Sequence, residues 1–276
     1  MSFPRKRESS FFTLDPCFRR GDIVGFRFPQ QILNKKRGHR MDAYASTAVL
    51  TVAQVQPDVR ATFIRRTYAH LAGAVAAFVG LEAVLLKSVL APAMLKFISA
   101  NRYGWLMVLG AFIIAGWLAR SLASSVRSVT AQYVGLACFV VAEAVIFVPI
   151  IYIAMHYSSP NVLPNAAILT GLLFAGLTTV AFTTRRDFSF LRGVLTIGGF
   201  VALGLIVCGT VFGFGLGLLF SVAMVGLASA AILYDTSKII HHYSPEQHVA
   251  ASLELFASVA LLFWYVLRII MSLSRR

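Results

Sequence analysis

Four carboxylic acids stand inside otherwise apolar stretches of this sequence, and their position makes them candidates for chemistry. They are Glu82 in VGLEAVLLK, Glu143 in VVAEAVIF, Asp235 in AILYDTSK and Glu254 in SLELF. Placing an acid such as Asp in a hydrocarbon environment costs about 2.5–3.5 kcal/mol on insertion scales, so such groups usually face a protein interior and serve a function. We therefore treat all four as candidate intramembrane polar groups.

Asp235 and Glu254 have a spacing that can bring two carboxyls together. They lie at similar distances on either side of Pro245 in YSPEQ. If the chain turns there between two antiparallel helices, both carboxyls reach a similar depth. Two carboxyls in one low-dielectric site cannot both ionise cheaply, so the pair predicts a proton switch or, when both ionise, an oxygen site for Ca²⁺. Ser258, one helical turn beyond Glu254, could add a ligand or a hydrogen bond.

Each acid also has a purely structural interpretation. Asp235 could mark a helix end, with its charge neutralised by Lys238 or Arg120. Glu143 could belong to a polar packing network in the middle of its helix. Glu82 lies nearer a helix end, where it could pair with Lys87 or extend toward water.

Three histidines flank the same turn as the acidic pair. They are His241, His242 and His248. Histidine titrates near neutral pH and binds metals, but this spacing matches no standard ligand pattern. We expect them to be solvated loop residues.

The elements that position these groups are expected to be transmembrane helices. The chain is 58% hydrophobic and only 13% charged, with a mean hydropathy of +0.76, whereas a soluble domain is about 25% charged. Residues 144–184 and 193–234 contain no Asp, Glu, Lys or Arg. Each run is about twice as long as one crossing requires, and HYSSPNVLPN and FGFGLG divide them. We predict an all-α polytopic membrane protein with seven crossings at about 68–90, 103–121, 131–155, 163–183, 193–212, 214–235 and 249–272.

Basic residues suggest an orientation for these crossings. Arg65 and Arg66 precede the first crossing, and Arg185 and Arg186 follow the fourth. The positive-inside rule then places the N-terminus in the cytoplasm. Lys96 in the first outer loop and the arginines near the C-terminus do not fit this pattern, so the last segment is either a seventh crossing or a re-entrant hairpin.

The N-terminal 40 residues differ from the rest of the chain. They hold ten Lys and Arg residues against three acids, and a basic arm of this kind could contact anionic lipid or nucleic acid. The segment lacks the apolar core of a secretory signal, and its start resembles the translation of a dispersed intergenic repeat. We predict that translation begins at Met41, that residues 1–40 are an artefact or a disordered extension, that 41–67 form a cytoplasmic segment and that 68–276 form the membrane domain.

Four stretches of the sequence together resemble a known family. They are RRTYAHLAGAV (65–75), GLTTVAFTTRRDFSFL (176–191), AILYDTSKIIHH (231–242) and SPEQHVAASLELF, which precedes a closing hydrophobic helix. In this order they are similar to the Bax inhibitor-1 family of membrane proteins, and the similarity covers about residues 60–272. It implies a seven-helix bundle with the last helix at its centre.

The resemblance also implies a function for particular residues. Some members act as pH-sensitive calcium leaks, in which an acid of the LYDT motif and an acid of the last helix share a proton, assisted by an arginine of the second helix. Asp235 matches the first acid and Arg120 is placed for the arginine. The second acid would fall at Ser258, with Glu254 one turn earlier, so the shared-proton mechanism requires Glu254 to take that role.

We therefore expect a pH-sensitive calcium or cation leak of the bacterial inner membrane, with Asp235 and Glu254 as the gate. The alternative is a non-transporting regulator in stress response that binds a membrane-anchored protease or another membrane protein, as other bacterial members do. No G-x-S-x-G, Walker or H-E-x-x-H motif is present, so we expect no enzymatic activity. We also expect the lipid bilayer as a partner, no nucleic-acid partner and no cofactor beyond transported Ca²⁺.

Overall fold

The computed structural model describes residues 51–125, 128–184 and 186–274, and within these ranges the chain is built from α-helices without strands. The helices are α1 (Pro57–Leu85), α2 (Leu90–Ala100), α3 (Gly104–Ala123), α4 (Val129–Tyr157), α5 (Val162–Thr184), α6 (Leu191–Phe212), α7 (Leu218–His241) and α8 (His248–Ser274). The predicted all-α class is confirmed. The predicted extension 1–40, and residues 41–50 of the predicted segment 41–67, lie outside the described residues.

Seven of these helices, all except α2, are long and apolar enough to cross a membrane. The predicted number of crossings is therefore confirmed. Helix α1 begins at Pro57 rather than near residue 68, with the proline in the first turn, where its missing N–H costs nothing. The short helix α2 was not predicted, because Lys96 was placed in the first outer loop.

Both predicted breaks in the charge-free runs are confirmed. Helix α4 ends at Tyr157 and α5 begins at Val162. Helix α6 ends at Phe212, and Gly213 follows with a φ of 79°, the left-handed conformation that glycine adopts at little cost. The Gly213 N–H donates to the carbonyl oxygen of Gly209 at 2.9 Å.

Helix α8 lies at the centre of the bundle. It packs against α7, α5, α1, α4 and α3, and Leu253, Leu255, Leu262 and Leu267 of this helix are fully buried. It is one uninterrupted helix of 27 residues, about 40 Å long at about 1.5 Å per residue. The predicted central position of the last helix is confirmed, and the alternative of a re-entrant hairpin is wrong.

The two ends of the bundle carry different connections. At one end, which we call the Pro245 end, the α7–α8 turn lies beside the α5–α6 loop, and the Phe188 N–H donates to Ser237 Oγ at 3.0 Å. At the opposite end, the Phe214 end, Arg268 of α8 donates to the carbonyl oxygen of Leu216 at 3.2 Å.

Candidate functional site

Asp235 and Ser258 join α7 and α8 inside the bundle. Ser258 Oγ donates to Asp235 Oδ2 at 2.5 Å, and each residue is only 8% exposed. A short turn makes the two helices antiparallel, so residues at similar distances from the turn face each other. Asp235 lies within α7, which continues to His241, so the interpretation that it marks a helix end is wrong.

Lys238 and Glu254 form a second contact between the same helices, one turn nearer the Pro245 end. Lys238 Nζ lies 2.6 Å from Glu254 Oε2. The ammonium also lies 5.1 Å from the ring centre of Tyr243 and 5.5 Å from that of Tyr234, distances at which a cation is attracted to an aromatic face. Burial, reinforced by the Glu254 carboxylate, raises the pKa of Tyr243 in the turn, so its phenol stays neutral.

The two carboxyls therefore have separate direct partners. We predicted that Asp235 and Glu254 would meet, but Ser258 is the residue opposite Asp235, and Lys238 is opposite Glu254. The prediction failed by about one helical turn because α7 and α8 are staggered along their axes, so that Asp235, ten residues before Pro245, faces Ser258, thirteen residues after it. The acids remain electrostatic neighbours, and the charges acting on Asp235 are those of Glu254, Lys238 and Arg120.

We call the two contacts between α7 and α8, Asp235–Ser258 and Lys238–Glu254, the seam. Arg120 acts on the seam and on a second buried acid. Its guanidinium lies 4.9 Å from the ring centre of Phe139, and its charge acts on both Asp235 and Glu143. Glu143 is at the middle of α4 and is 6% exposed. Arg120 thus acts on two of the predicted acids through its charge and forms no ion pair with either among the described residues.

Glu82 lies apart from this group, on α1. It is 4% exposed, and neither carboxylate oxygen has a hydrogen-bond partner among the described residues. Phe78, one turn earlier, packs against Phe147 and Phe256, so this face of α1 points into the core. The predicted pairing with Lys87 or extension toward water is wrong, because helical rotation and not distance from the helix end sets the burial of Glu82.

The histidines are less exposed than predicted. His241 lies in α7, with Nδ1 3.0 Å from the carbonyl oxygen of Ser237. His248 begins α8, is partly buried, and its ring centre lies 5.0 Å from that of His70. His242 is exposed and faces Asp187. The expectation of solvated loop histidines therefore holds for His242 and is wrong for the other two.

Sequence reasoning missed the role of Ser237 and Asp187 at the Pro245 end. Ser237 Oγ accepts from the Phe188 N–H and donates to Asp187 Oδ1 at 3.4 Å. These contacts attach the α5–α6 loop to the end of α7. The only signal in the sequence was an acid directly after two arginines, which by itself indicates a surface loop.

A cavity of about 460 Å³ extends from the Phe214 end into the bundle. Its inner part is lined by Arg120 and Glu143, and Arg268 lines it near the Phe214 end. Trp105 and Trp264 form part of its wall, with ring centres 5.5 Å apart. The cavity therefore leads from one face of the bundle toward the Asp235 seam.

Asp235, Glu254 and Ser258 supply oxygen atoms, the ligand type that Ca²⁺ prefers, but fewer of them than a tight calcium site has. Ca²⁺ prefers six to eight oxygen ligands, and no group of three or more His, Cys, Asp or Glu side chains that could hold a metal occurs in the part of the chain described. Lys238 places its ammonium against Glu254, where a metal ion would bind.

The fold and the seam define a multi-pass membrane protein with seven spans around a central helix. The sequence model of a family described as inhibitor of apoptosis-promoting Bax1 matches residues 60–275. The chain therefore belongs to the Bax inhibitor-1 family, which confirms the resemblance.

One relative agrees with this assignment by name, and two others are uncharacterised bacterial proteins. The chain is 28% identical to Bax inhibitor 1 of Schizosaccharomyces pombe over 228 residues, which cover 79% of each protein. It is 40% identical to an uncharacterised protein of Pseudomonas aeruginosa over 119 residues, 42% of this chain and 53% of that protein. An uncharacterised membrane protein of Vibrio cholerae is 29% identical over 126 residues, 43% of this chain and 53% of that one. The match thus spans about half the length of the two bacterial proteins.

Proposed function

We propose that this protein is a pH-sensitive leak for cations, Ca²⁺ in particular, in the bacterial inner membrane, and that Asp235 gates it. The observation that carries the proposal is a buried acid hydrogen-bonded across α7 and α8, with Lys238, Glu254 and Arg120 acting on its charge. Buried acids in membrane spans typically mark ion or proton pathways.

In the closed state two contacts hold α7 to α8. Ser258 is bound to Asp235, and Lys238 is bound to Glu254. A cation that passes the seam takes the place of Ser258 and Lys238 as the partner of the two carboxylates. The Lys238 ammonium acts as a tethered competitor, so flux remains slow, as expected of a leak.

The charge balance gives the direction of the pH response. With Asp235 and Glu254 ionised, their negative charges face the positive charges of Lys238 and Arg120, and Arg120 also acts on Glu143. Protonation of Asp235 makes the seam one charge more positive, whatever the state of Glu143, and it removes one carboxylate ligand, so both changes disfavour a cation. Calcium entry is therefore expected to decrease as the pH falls.

The test is calcium entry into proteoliposomes that contain the full chain, at about pH 6 and about pH 8. We expect wild type to exceed empty liposomes and to conduct faster at the higher pH. Asp235→Asn, with its folding checked by size-exclusion chromatography, should lose the pH dependence because it cannot ionise. Wild-type entry equal to that of empty liposomes at both pH values would exclude the leak.

Asp187→Asn is the matched control, because Asp187 is an exposed acid at the same end of the bundle. Its hydrogen bond from Ser189 lowers its pKa, and the attraction of His242 acts in the same direction. Any stability that the ionised Asp187 carboxylate contributes is fully present above pH 3.8, its ordinary pKa. That stability is lost only as the pH falls through the lower pKa that the group has in the folded protein. Asp187→Asn should therefore keep the wild-type difference between pH 6 and pH 8.

A second candidate function is a regulator that binds a membrane-anchored protease or another membrane protein and conducts nothing. It is favoured by the exposure of α6, the least buried of the seven spans, which packs chiefly against α7 and leaves Ile197 and Phe200 exposed. Under this function, Asp235→Asn would alter stability or partner binding while calcium entry would equal that of empty liposomes for every variant.

A further inference from the structure

The 460 Å³ cavity carries more positive than negative charge. Arg120 and Arg268 line it, and among the described residues Glu143 is the one acidic side chain in its wall. Within the described ranges the ion pairs are Lys238–Glu254 and His242–Asp187, so no described carboxylate forms an ion pair with either arginine. Even with Glu143 ionised, the cavity therefore favours an anionic group over a cation.

The remaining wall of the cavity is apolar and suits a hydrocarbon chain. Its surface includes Phe112, Phe147, Leu261 and the stacked pair Trp105 and Trp264. Small-molecule sites typically have volumes of about 300–1,000 Å³ and combine such surfaces with a few polar groups. At 460 Å³ the cavity lies at the small end of this range, which favours one acyl chain over the two chains of a phospholipid.

The cavity also has a side from which a chain can enter out of the bilayer. Helix α6 packs chiefly against α7, and its Ile206 and Thr210 face α3 across the cavity. The outer surfaces of both helices are exposed, with Trp117 of α3 71% and Phe200 of α6 73% exposed. The α3–α6 side of the cavity therefore borders lipid.

We propose that this cavity binds a single-chain anionic amphiphile, a long-chain fatty acid, with its carboxylate at Arg268 and its chain along Trp105 and Trp264. Arg268 already donates to the carbonyl oxygen of Leu216, which holds its guanidinium near the Phe214 end, where a fatty-acid headgroup lies in a membrane leaflet. A guanidinium offers five donors, enough to keep this bond and bind a carboxylate. The proposal is independent of the leak, since it requires neither Asp235 nor ion flux.

The test is quenching of tryptophan fluorescence by a brominated stearic acid, with the full chain in nanodiscs of zwitterionic lipid. Trp117→Phe is the background for all measurements because it removes the lipid-facing tryptophan and leaves Trp105 and Trp264 as reporters. We expect saturable quenching by the acid and little quenching by its methyl ester. Arg268→Gln should raise the concentration for half-maximal quenching by roughly tenfold or more.

Two further variants keep the result interpretable. Arg102→Gln is the matched control: Arg102 also binds a carbonyl oxygen near this end, that of Val211, but it does not line the cavity, so the variant should bind as the background does. If Arg268→Gln does not fold, Ala257→Leu leaves both arginines and narrows the cavity, and it should reduce binding to a similar extent.

Three results would overturn the proposal. The first is equal quenching by the acid and the ester, which would indicate chain partitioning alone. The second is unchanged binding in folded Arg268→Gln or, where that variant does not fold, in Ala257→Leu. The third is saturable quenching by a brominated phosphatidylglycerol that displaces the fatty acid, which would make a two-chain lipid the occupant. Because no arm measures calcium, failure here is distinguishable from failure of the leak.

Discussion

At the scale of single residues, the site consists of one hydrogen bond and one ion pair that lie a helical turn apart between α7 and α8. Ser258 satisfies Asp235 at the deeper level, and Lys238 satisfies Glu254 one turn away. An ionised acid in a low-dielectric environment is costly unless it is paired or hydrogen-bonded. The seam therefore holds two acids between α7 and α8 without leaving either carboxyl unpaired.

Lys238→Gln is expected to increase calcium entry by about fivefold at about pH 8. The pair with Glu254 is partly exposed, with side chains 27% and 33% exposed, and such a pair contributes up to about 1 kcal/mol. Removing the ammonium frees Glu254 for the incoming cation. The measurement is the initial rate in proteoliposomes, with Lys87→Gln as a lysine control away from the seam. A rate at or below that of wild type would show that Lys238 is not a competitor.

Ser258→Ala is expected to reduce the free energy of unfolding by about 1–3 kcal/mol, because it leaves the buried Asp235 carboxyl without its hydrogen bond. Ser252→Ala is the matched control in the same helix, since Ser252 Oγ donates only to the carbonyl oxygen of Val249 within α8. Thermal unfolding in detergent measures both. Equal losses of unfolding free energy in the two variants would mean that the Ser258–Asp235 hydrogen bond contributes no more than the bond from Ser252 to Val249 within α8.

At the scale of elements, the position of Arg120 depends on how closely α3 approaches α4. Gly135 of α4 lies against the α3 backbone, where an added Cβ would stand 2.6 Å from the Ala119 oxygen and 2.6 Å from the Ala123 nitrogen. Small residues at such crossings allow close backbone contact in membranes, where helix association lacks a hydrophobic driving force. This approach holds the last turn of α3, with Arg120, against the bundle.

Gly135→Ala is expected to lower the stability of the protein by about 1–3 kcal/mol through forced separation of α3 and α4. Gly171→Ala is the control, because nothing lies within 4 Å of the Cβ that it would add, and in a helix interior this change is neutral or stabilising by up to about 1 kcal/mol. Melting temperatures of the purified variants provide the comparison. A Gly135→Ala protein as stable as its control would contradict the close crossing.

At the scale of the whole molecule, hydropathy predicted much of the fold. Two charge-free runs with their proline and glycine breaks gave four of the seven spans, and apolar stretches of similar length gave the other three, because crossing length is set by the bilayer and not by tertiary detail. The short helix α2 was missed because its 11 residues are too few to span. The end of α7 was placed six residues early, since the polar Asp235 and Thr236 are buried within the helix rather than at its boundary.

The candidate site was only partly predictable, for a related reason. Burial of Asp235 and Glu143 followed from their apolar surroundings. The partner of each acid depends on the register between the two helices, and an error of one turn in that register exchanges the partners. Lys238 was for this reason assigned to Asp235, although it contacts Glu254. The burial of Glu82 and the position of Arg120 beside Glu143 depend on helix rotation and on packing between distant segments, which a single sequence does not specify.

The most direct measurement of the central claim compares the protonation of Asp235 with the calcium leak in the same membranes. Infrared difference spectroscopy across about pH 5 to about pH 9 detects the C=O stretch of a protonated carboxyl, and the part absent from Asp235→Asn belongs to Asp235. We predict that this signal and the calcium entry rate change with the same midpoint, entry falling as the protonated signal grows. An Asp235 that keeps one protonation state while calcium entry changes with pH would contradict the account.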